Sequence, residues 1–328
     1  MSGLSAVVAK AWRKAGAPLF PWSHRRRPPV ILMYHRVSDE PRSGMLDWEG
    51  KRVPTGLFRR QLAWLARCRR IVPLSELVAR FRSGADTAGM ATVTFDDGYA
   101  DNAEIAAPIL RELGVPASFF LATGFIDAQR WMWQDRLEFA LHRTSRGTMF
   151  MALLGEPVAL ESVVQRCQLV RRIKRQLKTV PWRVAEREVE ALERELDVEP
   201  QPPTSFYRFM AWTDAERLAR DGFEVGPHTI NHAILSRVPI EEMEREILGS
   251  RAEIIARIGT SSGIFCYPNG QRADYTVEAK ALCQRHFDAA LATNSGAATV
   301  SELYELPRVA IDRGSRLLRF QREVLLDA

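Results

Sequence analysis

Two aspartates stand side by side in Thr94-Phe95-Asp96-Asp97-Gly98, where an apolar run ends. Neighbouring carboxylates repel, and each raises the other's pKa, so the pair calls for a cation beside it. A second polar group, Pro227-His228-Thr229-Ile230-Asn231-His232, follows another short apolar run. Histidines at i and i+4 lie one turn apart on a helix, and a tight loop converges them equally well; imidazole pairs at this spacing bind zinc. An isolated HxxxH is more often two polar residues on an exposed turn. Here the chain has six histidines in all, and both groups end strands, so the combination favours a metal. Two histidines and one carboxylate leave a position open for water, the layout of a catalytic rather than a structural zinc centre. A divalent cation next to Asp97 would offset the repulsion and let Asp96 stay ionised.

The elements that must position these residues follow a strand–helix–strand rhythm. Residues 30–34, 91–95 and 117–122 read as buried strands, and helices are expected over 58–68, from a Ser75 cap to Arg82, and from an Asp101–Glu104 capping box to Leu113. After residue 205 the rhythm resumes, with a helix from a Thr213 cap to Arg220, strand 223–226, helix 240–258, strand 264–267, helix 274–285, strands 288–292 and 306–311, and a last helix. This spacing predicts parallel strands with helices outside and chemistry at the strands' carboxyl ends. His35 and Asp96-Asp97 both fall at such ends. Between about 131 and 203 glycine is sparse and Arg, Glu and Leu dominate, which predicts a helical insertion whose charges form a solvated face with i,i+4 pairs.

The ordered set TFDDG and HTINH resembles the first two motifs of the polysaccharide deacetylases (NodB-type, carbohydrate esterase family 4). Leu32-Met33-Tyr34-His35-Arg36-Val37 and Phe265-Cys266-Tyr267-Pro268-Asn269-Gly270 resemble stretches of its bacterial exopolysaccharide branch. The resemblance covers roughly residues 29–125 and 205–312 and implies an irregular (β/α) barrel of about seven parallel strands. In that domain plan, 1–28 is a leader and 29–328 a single barrel domain interrupted by the insertion. The resemblance implies that Asp97, His228 and His232 hold a divalent metal, most simply Zn2+, that Asp96 is the general base, and that the N–H of Asn269 helps hold the oxyanion. Gly98 and Gly270 are then turn residues, and Thr94, Thr229 and Asn231 local supports. Two departures stand out. Cys266 occupies the place of an Arg that holds the base in the family, and Arg308 is the candidate replacement. Arg308 also stands where the family has a His as general acid, so His35 becomes the first candidate to protonate the leaving amine; His24, His142 and His286 are read as structural.

The implied activity is hydrolysis of an N-acetyl group on an amino sugar of a polysaccharide or lipid-linked glycan precursor. Alternatives are a deformylase or other amide hydrolase on a small or lipid-linked amino sugar, and a non-catalytic metal- and carbohydrate-binding remnant. Tyr99, Trp131, Trp133 and Tyr267 are candidates to line a sugar groove, Trp131 and Trp133 foremost, with Trp212 assigned to the core. The 328 residues carry a net charge of +6 and a pI near 9.3. A basic surface suits anionic partners, but the first reading is a Lys/Arg-rich solvated surface that keeps the protein soluble; no nucleic-acid signature accompanies it, so no nucleic acid is expected. The four scattered cysteines form no CxxC pair and read as reduced packing residues. With no signal peptide or apolar run of about eighteen residues, a cytoplasmic location is expected. The basic N-terminal segment is either a disordered leader or a peripheral contact with the inner membrane face.

Overall fold

A computed structural model describes residues 27–40, 44–294, 298–299 and 302–326. Nearly all of the expected leader, and with it His24, lies outside them. In chain order the elements are β1 (Val30–Tyr34), β2 (Arg36–Val37), β3 (Arg52–Val53), α1 (Thr55–Cys68), β4 (Arg70–Ile71), α2 (Leu74–Ser83) and β5 (Met90–Phe95). A π-helical turn, Asn102–Ala106, then opens α3 (Ala107–Leu113), followed by β6 (Ser118–Leu121). Next come α4 (Trp133–Arg143), β7 (Thr148–Met151), β8 (Glu156–Ala159), α5 (Val163–Leu177) and α6 (Trp182–Glu195). The chain continues with α7 (Trp212–Arg220), β9 (Glu224–Pro227), α8 (Ile240–Ile258), β10 (Ile264–Cys266), α9 (Val277–His286), β11 (Ala289–Leu291), β12 (Val309–Ala310) and α10 (Leu317–Leu326).

The central sheet is wholly parallel, in the order β12-β1-β5-β6-β9, with β4 also paired to β5. Strands β1, β5 and β6 are buried along their whole length, as parallel strands covered on both faces must be. β10 and β11 form a separate parallel pair. The N–H of Ser262 bonds to Val225 on one side of that pair, and Leu306 bonds to Ala290 and Ala292 on the other. The expected barrel is thus met as an α/β fold with a six-stranded parallel sheet and a parallel pair.

Register decides what the strand ends bring together. Tyr34 pairs with Phe95, so the next residues, His35 and Asp96, emerge side by side. Leu121 pairs with Pro227, and the N–H of His228 bonds to the Leu121 carbonyl. Gly226 admits no side chain, since a Cβ there would lie 2.7 Å from the ring of Phe120.

Residues 133–195 carry their own apolar cluster, including Trp133, Leu137, Ile173, Val189 and Leu192, and it takes in Met45 and Trp48 from a loop of the main domain. The structure differs from the sequence expectation in three ways. A hairpin, β7–β8, sits among the helices. The charges pair between elements instead of along them, as in Arg136 with Glu190 and Glu193 and Lys174 with Glu49. Trp133 is buried, and the Trp131 ring packs against Phe139 and Tyr207 while its Nε1 donates to Gln201, so neither is free to line a groove. Tyr99 and Tyr267 are buried too, Tyr267 stacked on Tyr275.

The expected caps also change. Helices α1, α2, α6 and α8 begin after Pro54, Pro73, Pro181 and Pro239, whose fixed φ suits a helix start. Ser75 therefore lies inside α2. α7 starts at Trp212, with Asp214 accepting from the Ala211 N–H, so Thr213 is no cap. Asp101 makes no capping bond; its carboxylate takes the Nε of Arg36 at 2.8 Å.

Candidate active site

Asp96 and Asp97 follow β5 and are each 2% exposed. Their carboxylates have different partners. Arg308 approaches Asp96 as a fork, Nη1 to Oδ1 and Nη2 to Oδ2, both at 2.7 Å. The same guanidinium donates through Nε to the Ala292 carbonyl and contacts the Thr94 hydroxyl at 3.3 Å. The thiol of Cys266 lies 3.5 Å from Asp96 Oδ1. Burial opposes ionisation of Asp96, but Arg308 and, to a lesser degree, His228 and His35 hold its pKa below the usual carboxylate value. The Arg308 pKa is raised in turn: Asp96 outweighs the desolvation that would lower it.

Asp97 faces the histidines. His228 Nε2 lies 3.6 Å and His232 Nε2 3.4 Å from Asp97 Oδ1, and ligand atoms of these three residues all lie within 4.8 Å of one another. Tetrahedral metal bonds of about 2.0–2.2 Å would separate ligand atoms by about 3.3–3.6 Å, so the spacing fits an ion. Asp97 Oδ1 is buried and has no hydrogen-bond partner among the described residues, as a carboxylate oxygen awaiting a cation would be. His228 Nδ1 lies 2.8 Å from the Cys266 carbonyl. A proton on Nδ1 satisfies that bond and leaves the Nε2 lone pair aimed at Asp97, the arrangement of a metal-binding histidine. Burial lowers the His232 pKa to about 3, against the pull of Asp97, so its ring is neutral at pH 7. Asp97 is held well below its ordinary range despite burial, through His228, His232, His35 and Lys51.

The backbone around these residues is unusual. Asp97, Thr229, His232 and Asn269 all have positive φ, at 77°, 63°, 51° and 55°, a region that is costly for residues with a side chain. Gly98 and Gly270 make the neighbouring turns at φ 88° and 74°. The histidine loop is clamped from α8. Glu246, 1% exposed, accepts from the N–H groups of Ile230 and Asn231 at 2.8 Å each and from the Asn231 side chain at 2.6 Å. The N–H of Asn269 bonds to no acceptor among the described residues.

His35 feels Lys51, Asp97, Asp96 and Arg308, and burial, the largest influence, lowers its pKa to about 4. His142 packs against Gly44, and His286 ends α9, both away from the cluster. Glu246 and Lys51 escaped the sequence reading. Glu246 did carry a signal, a charge on the apolar stripe of α8 with Met243, Ile247 and Ile254; Lys51 carried none.

A family model described as polysaccharide deacetylase matches residues 83–286, and the chain belongs to that family, whose named activity is the removal of acetyl groups from polysaccharides. YxkH of Bacillus subtilis (strain 168), named for the same family, is 29% identical over 118 residues, 35% of this chain and 39% of that protein. The Streptococcus pyogenes deacetylase PplD, solved in complex with acetate, superposes with a TM-score of 0.60 at 15% identity, over 90% of this chain and 98% of that one. IcaB from Ammonifex degensii gives 0.56 at 15% identity, over 92% and 97%. At these identities the structural matches speak for the fold.

Proposed function

We propose that the chain is a metal-dependent hydrolase that removes the N-acetyl group from an amino sugar of a polysaccharide or a lipid-linked precursor. The observation that carries this reading is the division of the two adjacent carboxylates: Asp97 Oδ1 faces two imidazole Nε2 atoms, while Asp96 is gripped by Arg308. Asp97, His228 and His232 would hold the ion. Once bound, a divalent metal, most simply Zn2+, supplies an acidified water and a Lewis acid for the amide carbonyl.

The remaining work falls to the chain. Asp96, kept ionised by Arg308, takes the water's proton on a carboxylate oxygen. The N–H of Asn269, unpaired among the described residues, is available to the oxyanion that forms as the carbonyl is attacked. His35, beside Asp96 by strand register and neutral at pH 7, would receive that proton from Asp96 on a ring nitrogen and then give it to the leaving nitrogen, which returns the imidazole to its neutral form. Acetate and a free amine are the products, in keeping with the acetate bound to PplD. The intact base beside the metal triad favours an enzyme over a binding remnant. We read β10 and β11 as completing an irregular barrel, residues 131–203 as an insertion into it, and residues before 29 as a leader. Among the described residues no helix is long and apolar enough to cross a membrane.

The experiment is acetate release from N-acetylglucosamine oligomers by zinc-loaded protein and by Asp96→Asn. The reading expects turnover in the first, none in the second, and one bound metal in both. Equal turnover by Asp96→Asn would remove Asp96 as the base.

A further inference from the structure

The end of α5, in the insertion, is anchored to the loop that leads into β3. Lys174 on α5 binds Glu49 at 3.1 Å, and both Arg171 and Lys174 sit over the Trp48 ring, at 4.7 and 5.6 Å. One turn on, Lys178 ends α5 and is exposed. On the loop beneath, Lys51 stands two residues beyond Glu49 and immediately before β3. Arg52 of β3 pairs in parallel register with Arg36, so Lys51 is level with His35. Lys51 is only partly exposed and bears electrostatically on Asp97, His35 and His232; Lys178 bears on His232 and on Lys51.

Burial opposes the charge on Lys51, but Glu49 and then Asp97, Asp135 and Glu138 raise its pKa, and each of these carboxylates also has another partner. Glu49 has Lys174, Asp97 faces the histidines, and Asp135 accepts from the Tyr99 hydroxyl at 2.6 Å. Glu138 accepts from the Tyr207 hydroxyl at 2.8 Å and the Asp47 N–H at 2.9 Å, and burial raises its pKa to about 6. Lys178 has Glu49 and Asp274 in its neighbourhood, and Asp274 accepts from the Gln271 N–H. Neither lysine has an ion-pair partner among the described residues.

We propose that Lys51 and Lys178 form an anion subsite that takes a phosphate or carboxylate group carried by the substrate next to the sugar whose amide is cleaved. The inference rests on the deacetylase reading above and specifies its substrate class. A phosphate or carboxylate accepts charge-assisted hydrogen bonds from an ammonium group, and the partly buried Lys51 has no ion-pair partner among the described residues to give up for one. The insertion then acts in specificity, because it supplies Lys178 and seats the loop that bears Lys51.

The test compares kcat/KM of the zinc-loaded protein on three soluble probes: a neutral N-acetylglucosamine oligomer, N-acetylglucosamine 1-phosphate and N-acetylmuramic acid. Preference of about tenfold for an anionic probe is expected, the yield of one partly screened charge-assisted bond, and it should shrink between about 50 and about 300 mM salt. Lys51→Gln/Lys178→Gln, and separately Lys178→Glu at the exposed helix end, should collapse that ratio. The phosphate and carboxylate arms tell which anion is read. An anionic preference that survives both variants, or none at all, overturns the proposal. Binding of inorganic diphosphate and of glucuronate by calorimetry provides a readout independent of turnover. Binding of either anion that is lost in the double variant supports the subsite even if no probe is deacetylated, which would count against the deacetylase reading alone. Binding of neither, or binding unchanged in the variant, overturns the subsite.

Discussion

Replacing Arg308 by Met removes the partner that keeps Asp96 ionised in a buried place. Both side chains are almost fully enclosed, at 1% and 3% exposure, and the two bonds of 2.7 Å form a parallel fork. Breaking a buried pair by deleting one partner costs about 3–5 kcal/mol, because the surviving charge stays desolvated. Beside Asp96 there would remain the Cys266 thiol at 3.5 Å, the imidazoles of His228 and His35 and the like charge of Asp97, none of which replaces the fork, so a cost within that range is expected. Guanidinium-chloride unfolding of zinc-loaded protein at pH 7 measures it. In a double-mutant cycle with Asp96→Asn, the double variant should cost about as much as either single change, not their sum. Turnover by Arg308→Met should fall about a hundredfold or more, the usual worth of a positioned base, with metal stoichiometry unchanged. Cys266→Arg in the Arg308→Met background should restore part of both losses, since Cys266 faces the same carboxylate. The reasoning is refuted if Arg308→Met costs under about 1 kcal/mol, or if the two substitutions add.

Three further outcomes follow. Glu246→Gln cannot accept all three bonds from the histidine loop; it should lose about 1–3 kcal/mol of stability and weaken zinc affinity about tenfold or more, read by chelator competition. Glu138, whose folded pKa of about 6 lies above its ordinary 4.5, contributes stability below pH 4.5 that is lost as pH rises to about 6. At 1.36 kcal/mol per pH unit that is about 2 kcal/mol, and Glu138→Gln should flatten the stability profile in that window. Zinc at a hundredfold excess over its Kd should stabilise the fold by about 2.7 kcal/mol, seen as a drop in Tm on chelation; His232→Ala should abolish that drop.

Local motifs made the catalytic end legible. Asp96, Asp97, His228 and His232 lie in two short stretches at strand ends, and the α/β rhythm alone predicts that parallel strands present such ends together. Arg308 was reachable because Cys266 left the base without a cation, so a replacement had to come from elsewhere. What stayed hidden depends on partners distant in the chain. Asp101 has the spacing of a capping box, but Arg36, 65 residues away, takes its carboxylate. Ser75 and Thr213 are good caps by type, yet Pro73 and the Ala211–Asp214 bond set those helix starts. The charged helices of the insertion carry ordinary i,i+4 signals, while their strongest pairs run between elements, as Arg136 with Glu193 shows. Trp131 and Trp133 have the right chemistry to stack on sugars, but the insertion's core and Tyr207 occupy their faces. Lys51 stands level with His35 only through the register of β2 and β3.

The central claim is a division of labour between adjacent carboxylates, and one comparison tests it directly. Zinc content and acetate release from an N-acetylated amino-sugar oligomer are measured for the native chain, Asp96→Asn and Asp97→Asn. The account predicts one zinc and turnover in the native chain, one zinc and no turnover in Asp96→Asn, and neither in Asp97→Asn. Full zinc occupancy in Asp97→Asn, or acetate release by Asp96→Asn at the native rate, would contradict it.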